Sequence, residues 1–354
     1  MEKVSEIKEA MLEQWQSMAG MAGMFLTTIF IGMSIQPLYN IDEVRAFGSE
    51  GATKSSYIFL ELALIGVFTI VIIWLARRGL EAFIKGFIML SLFFSLFYVV
   101  FPYISIIPCL LGACSTSVIL PFALLVSAVL MIVLWRYPEW YIVNLVGVLV
   151  GAGVITMIGV SFVPVLIILF MILAAIYDHW AVNGSKHMLE LADTMINLKL
   201  PILLVAPKEK GYSFLDEESD IMQAEIMDPT EENWQEPAPD VKIPKRAKGR
   251  DALFMGLGDV IFPGMLVIST MSFLPNWGTE IHTLFGTIYL APLIVALGTL
   301  IGGLVGYFAL MTQVALGKPQ AGLPLLNGGS ILGYLISGIY AVGLPELWQN
   351  ITLF

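Results

Sequence analysis

Charged side chains are scarce in this 354-residue sequence, in which Asp, Glu, Lys and Arg together make up only 13%. A typical soluble domain carries about a quarter of its residues as charged types. Apolar residues make up 58%, and they are concentrated in blocks long enough to cross a bilayer, which takes about 20 residues per helix. The composition therefore excludes a soluble globular enzyme. It predicts an all-α polytopic membrane protein surrounded by membrane lipid, with no nucleic-acid partner.

Cysteine and histidine are also scarce. The two cysteines, Cys109 and Cys114, are too few for a disulfide framework, and we interpret them as small apolar packing residues, with a bond between them as the alternative. The three histidines, His179, His187 and His282, are too few and too scattered for a metal cluster. The sequence contains neither H-E-x-x-H nor G-x-S-x-G. We therefore expect no metal and no cofactor.

The formal net charge of −10 could indicate a cationic partner, but its location argues against one. Residues 207–240 hold eleven acids and two lysines, so this segment accounts for nearly the whole imbalance. Its prolines and its few aliphatic residues are typical of a segment without a packed core. We interpret residues 183–250 as a loop whose acidic centre is disordered.

Nine apolar blocks are long enough to be transmembrane helices. They cover about residues 17–39, 57–76, 86–107, 109–135, 141–159, 161–182, 251–273, 285–311 and 322–343. The chain opens with charged, helix-prone residues rather than a cleavable signal peptide, so we take the first block as the first span. Pro102 and Pro108 are the only signals that separate the third span from the fourth, and Ser161–Pro164 is the predicted turn between the fifth and the sixth.

The basic residues predict the orientation. With the N-terminus in the cytoplasm, 16 of the 18 basic residues lie on the cytoplasmic side, and only Arg45 and Lys54 lie outside. Cytoplasmic loops are enriched in Lys and Arg, so we expect a cytoplasmic N-terminus and, with nine spans, an extracytoplasmic C-terminus. This topology divides the chain into a six-helix part (1–182), a cytoplasmic loop (183–250) and a three-helix part (251–354).

Three acids fall within spans, where an ionisable group is costly and marks a candidate functional site. Glu61 lies near the outer end of the second span and can reach the interface, so we interpret it as structural. Asp178 precedes His187 by nine residues, and Asp259 follows Arg250 by nine, on consecutive antiparallel spans. At 1.5 Å per residue both acids should lie roughly 10 Å or a little more inside the cytoplasmic face. This equal depth predicts a paired site.

Two carboxylates that share a site cannot both ionise at low cost, so the pair holds one proton near neutral pH. One carboxylate can then take a proton from a water that attacks a peptide carbonyl, while the other donates its proton to the carbonyl oxygen, and the pair later returns a proton to the leaving amine. The same acids also suit a proton or cation relay in a transporter or ion-leak channel. The acids alone do not separate these functions from each other, or from a catalytically idle scaffold.

The residues that flank the acids favour a protease. Asp178 follows Tyr177, and the second acid closes the sequence Gly256-Leu257-Gly258-Asp259. Two glycines before an acid let another backbone approach closely, as an extended substrate requires. We expect Tyr177 to order the site rather than to perform chemistry.

Together, the YD and GxGD motifs on adjacent antiparallel spans closely resemble those of the presenilin and signal peptide peptidase family of intramembrane aspartyl proteases. The nine spans, the long loop between the aspartate helices and the cytoplasmic N-terminus look like presenilin specifically, in the form of a prokaryotic, archaeal homologue in the cell membrane. The resemblance implies that Asp178 and Asp259 are catalytic and that the substrates are transmembrane helical proteins. It implies no obligate partner subunits and leaves homo-oligomerisation open. A prepilin-peptidase-like enzyme also shares a GxGD motif but would process leader peptides.

The third motif of the family, Pro-Ala-Leu at the start of the ninth span, is only partly matched. The corresponding residues are Ala321-Gly322-Leu323, followed by Pro324. The leucine and the proline after it match, whereas the first two positions depart from the motif but remain small. We therefore expect the wall of the substrate site to consist of Gly256, Leu257, Gly258, Ala321, Gly322, Leu323 and Pro324.

Two further segments have simpler interpretations. The apolar patch Leu200–Val205 within the loop is interpreted as an interfacial segment. As the alternative, it occupies the substrate path and is cut by the enzyme itself, as the corresponding loop is in presenilins. The glycine-rich residues 302–306 of the eighth span are interpreted as a helix-packing surface.

Overall fold

The computed structural model describes most of the helical part of the chain and short pieces of the long loop. The described residues are 2–112, 114–180, 203–208, 211–213, 252–314, 322–349 and 351–352.

Nine helices of 17 residues or more occur in the described parts of the chain. They are α1 (Glu2–Tyr39), α3 (Ser55–Arg77), α4 (Glu81–Leu110), α5 (Thr116–Arg136), α6 (Trp140–Gly159), α7 (Pro164–Trp180), α8 (Leu257–Phe273), α9 (Leu290–Val314) and α10 (Leu323–Ala341). A single-turn helix, α2 (Gly48–Gly51), and two 3-10 turns (Asp42–Val44 and Leu344–Leu347) lie in the connections.

Seven of these helices are long and apolar enough to cross a bilayer, as expected of a multi-pass membrane protein. The other two, α7 and α8, have 17 residues each. At 1.5 Å per residue their described parts are about 25 Å long, a little less than the roughly 30 Å hydrocarbon core, and α7 is described only as far as Trp180. These two shorter helices carry Asp178 and Asp259. The count of nine spans therefore stays a prediction.

Helix α6 lies at the centre of the bundle, where α1, α4 and α8 pack around it. It is apolar on all sides, which is typical of a buried helix. The glycines of α6 let the neighbouring helices approach it closely. A Cβ on Gly153 would lie 2.6 Å from the carbonyl oxygen of Ser95 in α4, and one on Gly151 would lie 3.1 Å from Leu257 Cδ1 in α8.

The boundary between the third and fourth predicted spans differs from the expectation. Helix α4 continues through Pro102 and Pro108 to Leu110, because membrane helices tolerate proline where other contacts replace the lost hydrogen bonds. The chain turns instead at Gly112, whose φ of 74° favours glycine. The predicted turn between the fifth and sixth spans is confirmed, since α6 ends before it and α7 begins at Pro164.

Cys109 and Cys114 form a disulfide across the α4–α5 turn. Our interpretation of the two cysteines as unpaired packing residues is therefore wrong. The turn brings two residues that are five positions apart in the sequence to a Cα–Cα separation of 4.1 Å, which the sequence alone does not specify.

Two apolar stretches that we expected to begin helices are extended instead. Strand β2 (Ala252–Gly256) leads directly into α8, and β4 (Gly286–Tyr289) leads directly into α9. Strand β4 forms an antiparallel hairpin with β3 (Glu280–Thr283). Short apolar runs next to a helix carry no periodicity of their own, so the seventh and eighth predicted spans began too early.

Strand β1 (Leu203–Pro207) pairs with β2 in antiparallel register, with Leu203 opposite Gly256. Leu204 and Val205 are fully buried. The interpretation of Leu200–Val205 as an interfacial segment is therefore wrong for residues 203–205, because a strand partner draws them into the protein. Residues 200–202 and the acidic centre of the loop lie outside the described residues.

Helices α9 and α10 contact each other backbone to backbone, which confirms the interpretation of residues 302–306. A Cβ on Gly302 would overlap the carbonyl oxygen of Gly329, and a Cβ on Gly306 would overlap that of Leu325. Glycine at such positions lets membrane helices approach closely enough for van der Waals packing along their length.

We predict that Gly302→Ala lowers the thermal unfolding midpoint of the detergent-purified protein, because the added methyl group must push α10 away at a cost of about 1–3 kcal/mol. The matched control is Gly328→Ala in α10, where a Cβ would meet nothing within 4 Å. Tryptophan fluorescence during heating measures both variants. Equal midpoints for the two variants would contradict the backbone contact.

Candidate active site

Asp178 lies two residues before the end of α7, and it is only 4% exposed. Its Oδ2 accepts a hydrogen bond of 3.2 Å from the backbone N–H of Leu323. Leu323 is the first residue of α10, and the first N–H groups of a helix have no acceptor within that helix. Asp178 therefore caps the N-terminus of α10 from another helix, where the helix dipole also favours negative charge.

Asp259 is the third residue of α8, and its side chain is half-buried. Its carboxylate lies close to Gly256, the N-cap residue of the same helix, because a Cβ on Gly256 would lie 3.6 Å from Asp259 Oδ2. An acidic side chain at the third position often reaches back to the N-cap in this way. The place of Asp259 thus depends on where β2 ends and α8 begins.

Gly322 and Leu323 bring the two acids together. A Cβ at Gly322 would lie 3.1 Å from both carboxylate oxygens of Asp259, while the next residue donates to Asp178. The two carboxylates are also close enough to interact electrostatically. Two consecutive residues at the start of α10 therefore contact acids from α7 and α8.

The remaining residues of the GxGD motif divide between packing and open space. Leu257 is buried, and its side chain lies against Gly151 of α6. Gly258 is exposed, and a Cβ there would meet nothing within 4 Å. Leu257 therefore anchors the start of α8, whereas Gly258 leaves space next to Asp259.

Tyr177 and Pro324 lie at the margin of this site. Tyr177 is 54% exposed, and its ring lies 6.2 Å from that of Trp180, centroid to centroid. Adjacent helical residues point about 100° apart, so its direction differs from that of Asp178. Pro324 occupies the first turn of α10, where a missing N–H costs nothing. Ala321 lies outside the described residues.

Buried polar and aromatic contacts hold the three helices of the site together. Asn327 Nδ2 of α10 donates to the carbonyl oxygen of Met171 in α7 at 3.0 Å. The rings of Phe170 in α7 and Phe262 in α8 have centroids 5.3 Å apart. These contacts fix α7 against both α8 and α10, and so fix the relative positions of the two acids.

Asn144 of α6 holds the outer edge of β1. Its Oδ1 accepts the backbone N–H of Val205 at 2.8 Å, and its Nδ2 donates to the carbonyl oxygen of the same residue at 2.7 Å. The side-chain amide thus replaces a neighbouring strand. Ser17 Oγ donates to the carbonyl oxygen of Pro207 at 2.6 Å, further along this edge. Strand β1 is therefore fixed on both sides, by β2 on one and by α1 and α6 on the other.

Our sequence reasoning missed Asn144 and Asn327. Both are nearly fully buried amides on membrane helices. Burying an amide without partners is costly, so their presence within spans could have marked them as structural hydrogen-bond donors. Their partners are main-chain atoms of other elements, which a sequence does not reveal.

Within the described parts of the chain, no group of three or more His, Cys, Asp or Glu residues is arranged to hold a metal ion. Glu61 is on α3, and its buried Oε2 has no hydrogen-bond partner.

The sequence of this chain matches a known protein family over most of its length. The family described as "Signal-peptide peptidase, presenilin aspartyl protease" matches residues 22–343. No curated protein matches.

Two solved structures of a "presenilin family intramembrane aspartate protease", in space groups C222 and P2, superpose on this chain with TM-scores of 0.58 and 0.56. Both are 27% identical to it. The alignments cover 92% and 91% of this chain, and 99% and 97% of those structures. The resemblance found in the YD and GxGD motifs is confirmed, and nothing supports the transporter alternative. This chain belongs to the signal-peptide peptidase and presenilin family of intramembrane aspartyl proteases.

Proposed function

We propose that Asp178 and Asp259 form the catalytic dyad and that the enzyme hydrolyses peptide bonds within the transmembrane segments of its substrates. The observation that carries this proposal is the contact of both carboxylates with the dipeptide Gly322–Leu323. Two acids at the ends of different helices meet there.

Each carboxylate keeps hydrogen-bonding capacity for the reaction. One main-chain N–H binds Oδ2 of Asp178, and an ionised carboxylate has about four acceptor sites. The remaining sites hold the shared proton and the attacking water. The ionised member removes a proton from water as the water adds to the peptide carbonyl. The protonated member donates its proton to the carbonyl oxygen, which gives a tetrahedral diol. As the diol collapses, the member that took the proton from water donates it to the leaving amine, and the other member takes a proton back from a hydroxyl group of the diol.

The substrate must be extended where it is cut, because a helical backbone shields its own carbonyl groups. Gly258 offers open space beside Asp259, and β2 approaches the acid as an extended chain. We propose that Gly256, Leu257, Gly258, Gly322, Leu323 and Pro324, with Ala321, form the wall that holds the substrate strand. Tyr177 supports the end of α7 through its contact with Trp180.

The same proposal includes nine spans, a cytoplasmic N-terminus and an extracytoplasmic C-terminus. In this topology the α4–α5 turn faces the outside. The disulfide between Cys109 and Cys114 supports this placement, because disulfides persist in oxidising compartments. The active site then opens towards the cytoplasm, where water enters.

We predict that Asp178→Asn and Asp259→Asn each lower kcat for a transmembrane reporter peptide in liposomes by at least about 10²-fold, since each removes one partner of the proton exchange. The matched control is Glu61→Gln, which neutralises an intramembrane acid on α3 and should leave cleavage unchanged. All three substitutions are nearly isosteric, so the variants should insert and unfold like the wild type. Wild-type cleavage by either aspartate variant would remove the basis of the proposal.

We predict that Gly322→Val lowers kcat and has a smaller effect on KM. A side chain at this position would displace the Asp259 carboxylate from the Asp178 carboxylate. Gly322→Ala adds only the Cβ, which would press on both oxygens from 3.1 Å, and should cost on the order of tenfold in kcat. Gly328→Ala on the same helix serves as the control. A wild-type kcat for Gly322→Val would show that Gly322 does not limit the position of Asp259.

We predict that Asn144→Leu lowers kcat and increases amide hydrogen exchange at Leu204–Ala206. The change leaves the N–H and C=O of Val205 buried without their partner, at about 1–3 kcal/mol for each group. Loosening β1 then loosens β2 and the start of α8. The control is Ser95→Ala, which removes a buried hydrogen bond from Ser95 Oγ to the carbonyl oxygen of Val150 in α6, away from the strands. Equal exchange rates in the two variants would contradict a role for Asn144 in positioning the strands.

A further inference from the structure

A groove runs between α4 and α5, at the ends of these helices that carry Lys85 and Arg136. Its volume is about 420 Å³, which lies in the range of ligand pockets. Helix α5 packs mainly on α4 and α6, so the groove is separate from the cluster formed by α7, α8 and α10. Its walls include Gly86, Met89, Phe93, Met131, Trp135 and Arg136.

A glycine forms part of the groove wall. Gly86 is exposed, and a Cβ built on it would meet nothing within 4 Å. From Gly86 to Phe93 the groove extends about two helical turns, or roughly 10 Å, along α4. Apart from Arg136, its lining is glycine, aliphatic, methionine or aromatic, so it suits a hydrocarbon chain that lies parallel to the helices.

Positive charge lies at the mouth of the groove. Arg136 ends α5 and lines the groove itself, and Lys85 Nζ lies 5.9 Å from the centre of the Trp135 ring. Neither cation forms an ion pair with a carboxylate among the described residues. The nearby Glu139 is buried and accepts a hydrogen bond from Ser213. Two cations and a tryptophan at the end of a span are typical of the headgroup level of a bilayer.

We propose that this groove binds an anionic phospholipid. One acyl chain lies along Met89, Phe93 and Met131, and the phosphate contacts Lys85 and Arg136. Charge complementarity selects this occupant, since basic pockets between membrane helices bind acidic headgroups. An apolar helix of a second copy would bury both cations without a counter-charge. The site is independent of the proposed catalytic dyad.

Native mass spectrometry of the full-length, detergent-purified protein tests the proposal, with phosphatidylglycerol and phosphatidylcholine as the two probes. We expect one phosphatidylglycerol to be retained with an affinity roughly 10- to 30-fold higher than phosphatidylcholine, given the contribution of two basic residues. Lys85→Gln combined with Arg136→Gln should remove the preference. Gly86→Phe should fill the groove and remove the bound lipid.

The control is Gly66→Phe on α3, another exposed glycine whose Cβ would meet nothing within 4 Å. It should bind lipid like the wild type. Thermal unfolding and cleavage of the reporter peptide verify that each variant is folded. Equal retention of the two lipids, or wild-type binding by Gly86→Phe, would overturn the proposal. A dimer that Gly86→Phe dissociates would overturn it too, in favour of a protein interface.

Discussion

The site depends on one constraint, which is that two carboxylates from different helices must meet at the first turn of a third. Asp178 satisfies the N-terminal N–H of α10 at Leu323, and Asp259 lies against the preceding glycine. Asp259 lies in the first turn of α8, and Asp178 lies in the last described turn of α7. The N-terminal ends of α8 and α10 supply main-chain N–H groups and a favourable dipole, which reduce the cost of a carboxylate in an apolar environment.

The rest of the structure keeps those helix ends in place. Strand β2 sets the start of α8, β1 sets β2 through their antiparallel register, and Asn144 of α6 fixes β1. On the other side, Asn327 joins α10 to α7. The segment that separates the two aspartate helices in the sequence is therefore partly structural. Self-cleavage at residues 203–205 would require β1 to leave these contacts first, and it stays a prediction.

Much of this architecture could be predicted from hydropathy, because long apolar blocks have few other structures available in a membrane. The acids could be predicted as well, since ionisable groups within spans are rare and costly. The strands at 203–207 and 252–256 could not, because short apolar runs beside a helix have no distinct period. The disulfide between Cys109 and Cys114 and the bonds of Asn144 depend on chain reversals and main-chain partners that no local pattern specifies.

The proposed dyad requires one reacting centre between the two acids. A structure of the full-length protein with a hydroxyl-bearing aspartyl transition-state analogue would locate that centre. We expect the hydroxyl, which stands in for the attacking water, to lie within hydrogen-bond distance of both Asp178 and Asp259, with the peptide-like part extended beside Gly258. An inhibitory analogue bound elsewhere, or in contact with only one of the two carboxylates, would contradict it.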